Sequence, residues 1–302
     1  MALIHTDAIV LGVVFAAVIC IIALRLRALS RAGALGAFFV GSLTFILGGW
    51  PTTFVLLAFF VSSTLLGKLG KSRKKQFTTI EKGTQRDAFQ VFANGGIATL
   101  CLPFFAIMSV FSEFGMSCEM SICLFAARIS VFQFGHPIPW FAAFAGAYAA
   151  ATSDTWGTEI GTLARNAPRS LFTMKRVAPG LSGGITTQGT LAEIGGATFI
   201  ATIAALTAFM PGYPTHEWWE RVELLLIIAF AGVAGAFVDS ILGATVQELR
   251  ECRTCGERCE MLVHSCGTQT ALIRGVRGIS NDVVNLAATL SGAAIAFTLS
   301  PQ

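Results

Sequence analysis

Charge is what this chain has least of. Only 13% of its 302 residues are Asp, Glu, Lys or Arg, about half the share of a soluble globular domain. Hydrophobic residues make up 54%, and mean hydropathy is +0.69. This excludes a solvated soluble enzyme, and a net charge of +4 gives no nucleic-acid footprint. Also missing are segments of about ten residues with alternating polarity, so a membrane β-barrel is excluded. Histidine is scarce: His5, His136 and His216 fall in outer segments, and only His264 accompanies other ligand-type residues. Chemistry built on an imidazole base has no candidate at the polar motifs described below. There is no GxxxxGK[ST] run, which removes the P-loop, and no period of 20–50 residues, which removes a solenoid. The first apolar run, Ala8 to Leu24, has Asp7 before it and Arg25, Arg27 and Arg31 after it, the reverse of a signal peptide. It reads as a retained span with its N-terminus outside.

What is present is an all-α polytopic bundle of about eight spans, one transmembrane domain over 1–302. The expected spans are 8–24, 33–49, 52–68, 89–111, 137–153, 191–210, 222–243 and 283–300. Gly48-Gly49-Trp50-Pro51 is a tight turn between the second and third. Residues 121–134 are apolar but short and interrupted by Arg128, which predicts an interfacial or half-inserted helix. With eight spans both termini lie outside, and all of the 21 lysines and arginines except Arg128 and Arg221 fall on the inner, cytoplasmic-type side. In a plastid membrane this side would face the stroma.

The polar motifs gather on that same inner side. In Gly83–Gly96 (GTQRDAFQVFANGG), helical winding puts Asp87, Gln90 and Asn94 on one face, with Arg86 at its mouth. This stripe is either an interfacial anchor or a site for a metal or an anion. TSDTWGTEIG supplies Asp154 and Glu159 among Ser153, Thr155 and Thr158, hard oxygen donors suited to Mg²⁺. KRVAPGLSGGITTQG pairs Lys175 and Arg176 with a glycine-rich loop through Gly180, Ser182, Gly183, Gly184 and Thr186. Such loops bare backbone N–H groups to phosphate, although a flexible connector has the same composition. Glu193 follows just inside the sixth span. Asp239 shares a stripe with Gly232, Gly235 and Gly243, so it points into the bundle, with Ser240 and Gln247 nearby. Asn281, Asp282 and Asn285 open the last span behind Ser280.

Residues 250–278 form an insert of a different kind. Cys252, Cys255, His264 and Cys266 repeat the spacing of a small zinc ribbon, with Cys259 spare or substituting. On a reducing face such thiols hold metal rather than disulfides, and a closed set of ligands makes the Zn²⁺ structural.

GTQRDAFQVFANGG, SDTWGTEIG, PGLSGGITTQGT and NDVVN occur in this order. Together they resemble the membrane family called domain of unknown function 92, the transmembrane protein 19 and phytyl-phosphate kinase family. The likeness runs from about Arg31 to Leu290. It implies phosphorylation of an isoprenyl monophosphate to its diphosphate at the expense of a nucleotide such as CTP. The surroundings of Asp154 are also similar to the aspartate motifs of CTP-using lipid enzymes. A lipid monophosphate is already an oxyanion and needs no general base, which suits the shortage of histidine. The residues divide accordingly. Asp154 and Asp239 would hold Mg²⁺, with Asp87 or Asp282 completing its shell. The Gly-rich loop with Lys175 and Arg176 would cradle nucleotide phosphates, and Arg86 would clamp the acceptor phosphate. Asn94, Asn281 and Asn285 would orient water, metal or ribose, while the lipid tail lies between Gly-lined spans. The competing expectations are an ion-coupled carrier and a CTP-dependent transferase acting on another lipid.

Overall fold

Gly49 decides how the first part of the bundle folds. The structure, a computed structural model, describes residues 6–69, 85–113, 118–124, 127–134, 136–177, 180–208 and 217–301. Helix α1 (Thr6–Arg25) leads into α2 (Arg31–Lys68). A straight helix of 38 residues would be about 57 Å long, nearly twice the hydrocarbon core of a bilayer. Gly49 breaks it with φ 67° and ψ −157°, a conformation essentially reserved for glycine. Pro51 follows and has no N–H to continue the ladder. Two hydroxyls take over freed carbonyls: Thr52 donates to Thr44 O at 3.0 Å and Thr53 to Gly49 O at 2.8 Å. The second half then runs back along the first, and Phe60 packs beside Ala34, Phe38 and Leu29. The tight turn expected at Gly48–Pro51 is where the chain reverses.

Next come α3 (Ala88–Glu113), α4 (Ile138–Gly161), α5 (Thr187–Thr207), α6 (Trp218–Thr245) and α7 (Asn281–Leu299). Six of the described helices are long and apolar enough to cross a membrane. The break divides α2 into two helical halves, and with α4, polar at its end near Gly161, the described helices supply eight segments. Helix α4 is its axis and packs against α2, α3, α5, α6 and α7. Its Ala/Gly-rich run favours helix and leaves nothing to hold neighbours off. A Cβ on Gly146 would lie 2.6 Å from the Gly292 carbonyl oxygen, and one on Gly232 would lie 2.7 Å from Ala149 Cβ. Outward-facing Val10, Leu35, Leu100, Leu226 and Leu290 form the lipid-facing surface of the other helices.

One expectation is corrected. Residues 121–134 are not an interfacial helix. Strands β1 (Cys118–Leu124) and β2 (Ala127–Phe134) pair antiparallel instead. Ile129 and Val131 alternate with Arg128 and Ser130, then Phe132 and Phe134 flank Gln133, and β-branched and aromatic residues in such short alternating runs favour extended backbone over helix.

On the opposite side, β3 (Arg169–Ser170) pairs with β4 (Gly184–Ile185). The insert after α6 folds as a three-stranded sheet in the order β6 (Arg258–Cys259), β5 (Leu249–Cys252), β7 (Thr270–Arg274).

Candidate functional site

Helix α4 runs on to Gly161, two turns past its expected end, so TSDTWGTEIG is helical. Its spacing divides the motif between two faces of the axis helix. Tyr148, Thr155 and Glu159 share the side toward α2 and α3. The Tyr148 ring lies 5.4 Å from that of Phe59, and Gly67 stands against the Glu159 carboxylate. Asp154 shares the opposite side with Ala150, which packs on Gly235 of α6 and Gly292 of α7. Ser153 turns to α5 and donates to the Glu193 carbonyl at 2.8 Å.

An acidic cluster sits where these helices meet. The charge of Asp154 acts with those of Glu193 and Glu159, and the charge of Asp239 acts with those of Asp154, Glu260 and Glu193. Asp239 is buried, and Asn285 donates its amide to Asp239 Oδ2 at 3.0 Å and to the Asn281 carbonyl at 3.3 Å. Among the described residues no lysine or arginine pairs with Asp154, Glu193 or Asp239. Like-charged carboxylates brought together without a counter-cation are a donor set for a hard divalent ion. Their oxygens do not yet converge as a closed cage. Among the described residues only the Cys/His set brings three or more such ligand atoms within 4.8 Å of one another. Asp282 is half-buried in the first turn of α7.

The GTQRDAFQVFANGG stretch separates by role; Gly83 and Thr84 lie outside the described residues. Arg86 is fixed through its backbone: its N–H donates to Ala28 O and its carbonyl accepts from Ser30 N, both at 3.0 Å. Gly33 leaves room for that carbonyl. The guanidinium sits 5.1 Å from the centre of the Phe59 ring, and its charge acts with that of Glu159. Asp87 caps α3 instead of entering the bundle: Gln90 N donates to Asp87 Oδ1 at 2.9 Å, and Asp87 N donates to Gln90 Oε1 at 3.2 Å. Asn94 donates to the Gln90 carbonyl at 2.8 Å.

Arg86, Gln90, Asn94 and Tyr148 are the polar groups at one end of an otherwise apolar groove between α1, both halves of α2 and α3. The groove is narrow, with a cavity volume of about 70 Å³ that grows to about 740 Å³ only when the space open to its surroundings is counted. Ile19, Ala37, Leu56 and Phe60 line its apolar length. The Tyr148 hydroxyl is buried, with no hydrogen-bond partner among the described residues. Glu159 links the two halves of the site, since its charge reaches both Arg86 and Asp154.

The Gly-rich loop lies over the C-terminal end of α6, at Gly243 and Ala244; Pro179 is outside the described residues. A Cβ on Gly183 would fall 2.5 Å from Ala244, and φ at Gly183 is +78°. The Ser182–Gly183 pair rests on Gly243, one helical turn beyond Asp239 on the same face. Gly180 also has positive φ, and Gly184 N donates to Leu181 O at 3.3 Å. Thr186 caps α5 by accepting from Gly189 N at 3.0 Å, which aims the positive end of that helix at the loop. Lys175 and Arg176 stand exposed on the preceding turn, and neither contacts the acidic cluster.

Two groups in this region carried little sequence signal. Glu260, from the insert, accepts from Ser182 Oγ at 2.5 Å and from Ser182 N at 3.2 Å. Buried Gln247 donates to the same Ser182 Oγ at 2.8 Å. Glu260 lies 78 residues from Ser182, and nothing in their local sequence marks the contact. Gln247 is visible in the sequence only as a polar neighbour of Asp239.

The Cys/His set converges as its spacing predicts. Cys252 Sγ is 3.5 Å from Cys266 Sγ, and His264 Nδ1 is 3.2 Å from Cys266 Sγ. Tetrahedral zinc ligands lie about 3.5–3.8 Å apart, so the residues fit this ion. His264 Nε2 is 3.2 Å from the Glu257 carboxylate, which leaves Nδ1 facing the thiols. Hydrogen bonds from Thr268 and His264 push the Cys266 thiol down to about 6, toward the thiolate that binds metal. Cys255, hydrogen-bonded to Cys266 and Cys252, is pushed up to about 12. Cys259 is buried and donates to the Met261 carbonyl at 3.7 Å, outside the set.

Known proteins resemble this chain in sequence. Protein PGR of Arabidopsis thaliana is 26% identical over 283 residues, spanning 93% of this chain and 92% of its own length. The uncharacterized membrane protein MJ0933 of Methanocaldococcus jannaschii is 29% identical over 231 residues, 75% of this chain and 79% of its own. No solved structure matches the chain. The integral membrane protein family DUF92 matches residues 14–293, and with its bundle of apolar helices the chain belongs to that family.

Proposed function

We propose that the chain is a membrane-embedded isoprenyl-phosphate kinase, which transfers the γ-phosphoryl group of a nucleotide, CTP by preference, to a prenyl or phytyl monophosphate. The observation that carries this reading is the groove. It offers an apolar length for a single lipid tail and ends on a half-buried arginine, whose charge acts with that of Glu159 beside an acidic cluster. An acceptor phosphate at Arg86, with Gln90, Asn94 and the unpartnered Tyr148 hydroxyl as hydrogen-bonding neighbours, would have its charge compensated in a low-dielectric setting. Asp154 and Asp239 would hold Mg²⁺, with Asn285 orienting Asp239 and Glu193 beside them. Bound there, the ion supplies charge neutralisation for the nucleotide phosphates. The Gly180–Thr186 loop and the N-terminus of α5 would receive those phosphates. An oxygen of the acceptor phosphate forms the new bond to Pγ, the bond from Pγ to the βγ-bridging oxygen breaks, and the nucleoside diphosphate leaves. No base is required, because the acceptor is already ionised.

The basic residues favour an inner, cytoplasmic-type face for this chemistry, with both termini outside. An ion-coupled carrier has less support, since carriers set their polar groups near the midplane and these gather at one end of the bundle. Purified protein should be given prenyl monophosphates of several chain lengths with CTP, ATP, GTP or UTP and Mg²⁺. We expect a prenyl diphosphate, and at least about 100-fold less of it from Asp154→Asn. Absence of diphosphate under every combination would refute the kinase reading.

A further inference from the structure

We propose that Glu260 is a positioning residue through which the metal-held Cys/His insert fixes the Gly-rich loop. The loop has few holds of its own. Positive φ at Gly180 and Gly183 fits a tight path, and the β3–β4 pairing beside it is only two residues long on each strand. Ser182 is the polar anchor at its centre, and both of its partners come from outside the loop. Gln247, at the end of α6, donates to Ser182 Oγ, while Glu260 accepts from both Oγ and N. With these bonds the hydroxyl both donates and accepts. A carboxylate acceptor makes the stronger kind of hydrogen bond.

Glu260 itself is placed by the insert. It follows β6, a strand of two residues paired only with β5. The insert leaves Leu262, Val263, Leu272 and Ile273 exposed and has too little core to hold its shape by packing alone. Cys252 and Cys255 precede β6 and His264 and Cys266 follow it, so a metal bound by the four closes the loop that carries Glu260. Metal occupancy in the insert therefore sets the order of the Gly-rich loop at a distance. The inference rests on the proposed function only for what that loop receives.

Hydrogen exchange of the full chain in detergent tests this without lipid or nucleotide, so a failed kinase assay would not touch it. Amides of 180–186 should exchange at least about tenfold faster in Glu260→Ala than in wild type. Glu260→Gln retains an acceptor oxygen and should stay near wild type. Wild-type protein stripped of zinc by a chelator under reducing conditions should reach the Glu260→Ala rate, while Glu260→Ala itself still carries its zinc. Unchanged exchange in either Glu260→Ala or the stripped protein would overturn the proposal. So would a Glu260→Ala variant that binds Mg·CTP more tightly with its loop unloosened, because the carboxylate would then be a plug on the loop and not its anchor.

Discussion

Asp239 and Asn285 show what a single contact does in this bundle. A buried carboxylate close to other acids needs its orientation fixed if it is to meet an ion, and the Asn285 amide fixes it at 3.0 Å. Asn285→Ala should therefore lower apparent Mg²⁺ affinity or turnover roughly 10–100-fold while leaving the thermal transition nearly unchanged. A magnesium titration of the transfer rate, set beside a melting curve, checks this. Asp239 and Asn285 could be singled out from sequence because each sits at helical spacing from small or polar partners. Asp87 could not be placed that way. Spacing puts it on the stripe with Gln90 and Asn94, but the backbone at the helix start claims its carboxylate as a cap. Local hydrogen bonding won over the periodic pattern, and a periodic reading has no access to that competition.

At the scale of elements, helix spacing and small residues were legible, and tertiary partners were not. The turn at Gly49 follows from Gly-Gly-Trp-Pro, and the closeness of α4 to its neighbours follows from an Ala/Gly run. The groove does not, because its walls come from α1, α2 and α3 and depend on how the halves of α2 lie together. Its role gives a direct expectation. Ala37→Phe narrows the apolar length and should raise KM for a long prenyl monophosphate roughly tenfold, leave KM for nucleotide unchanged and affect a short-chain acceptor least. The strands within 118–134 are not legible in the sequence, because the short apolar run at 121–134 fits a strand as well as a half-inserted helix. The Cys/His insert was the most legible element, since ligand spacing alone defines it. With the Cys266 thiol held down to about 6, its thiolate persists at neutral pH and is lost as pH falls through that value. Zinc content after dialysis at pH 7.5 should be near one equivalent, and it should fall steeply below about pH 6 as ligands take up protons.

The whole molecule joins two sites of different character across one axis helix. On one side of α4 an apolar groove ends at Arg86; on the other, Asp154 and Asp239 share an acidic cluster with Glu193, and the Gly-rich loop rests on Gly243, one turn from Asp239. The polar motifs collect at one end of the bundle, and the charge distribution along the sequence already pointed there. What the sequence could not disclose is that α4 parts the apolar groove from the acidic cluster, with the charge of Glu159 acting on both Arg86 and Asp154. This layout suits transfer of the terminal phosphoryl group between two separately held anions. The most direct test uses purified protein, a prenyl monophosphate, Mg²⁺ and CTP labelled at either the γ- or the α-phosphorus. Label in the lipid fraction from γ-labelled CTP alone is the predicted result. Label from α-labelled CTP would mean nucleotidyl transfer, and label from neither would mean no transfer at all; either result contradicts the kinase account.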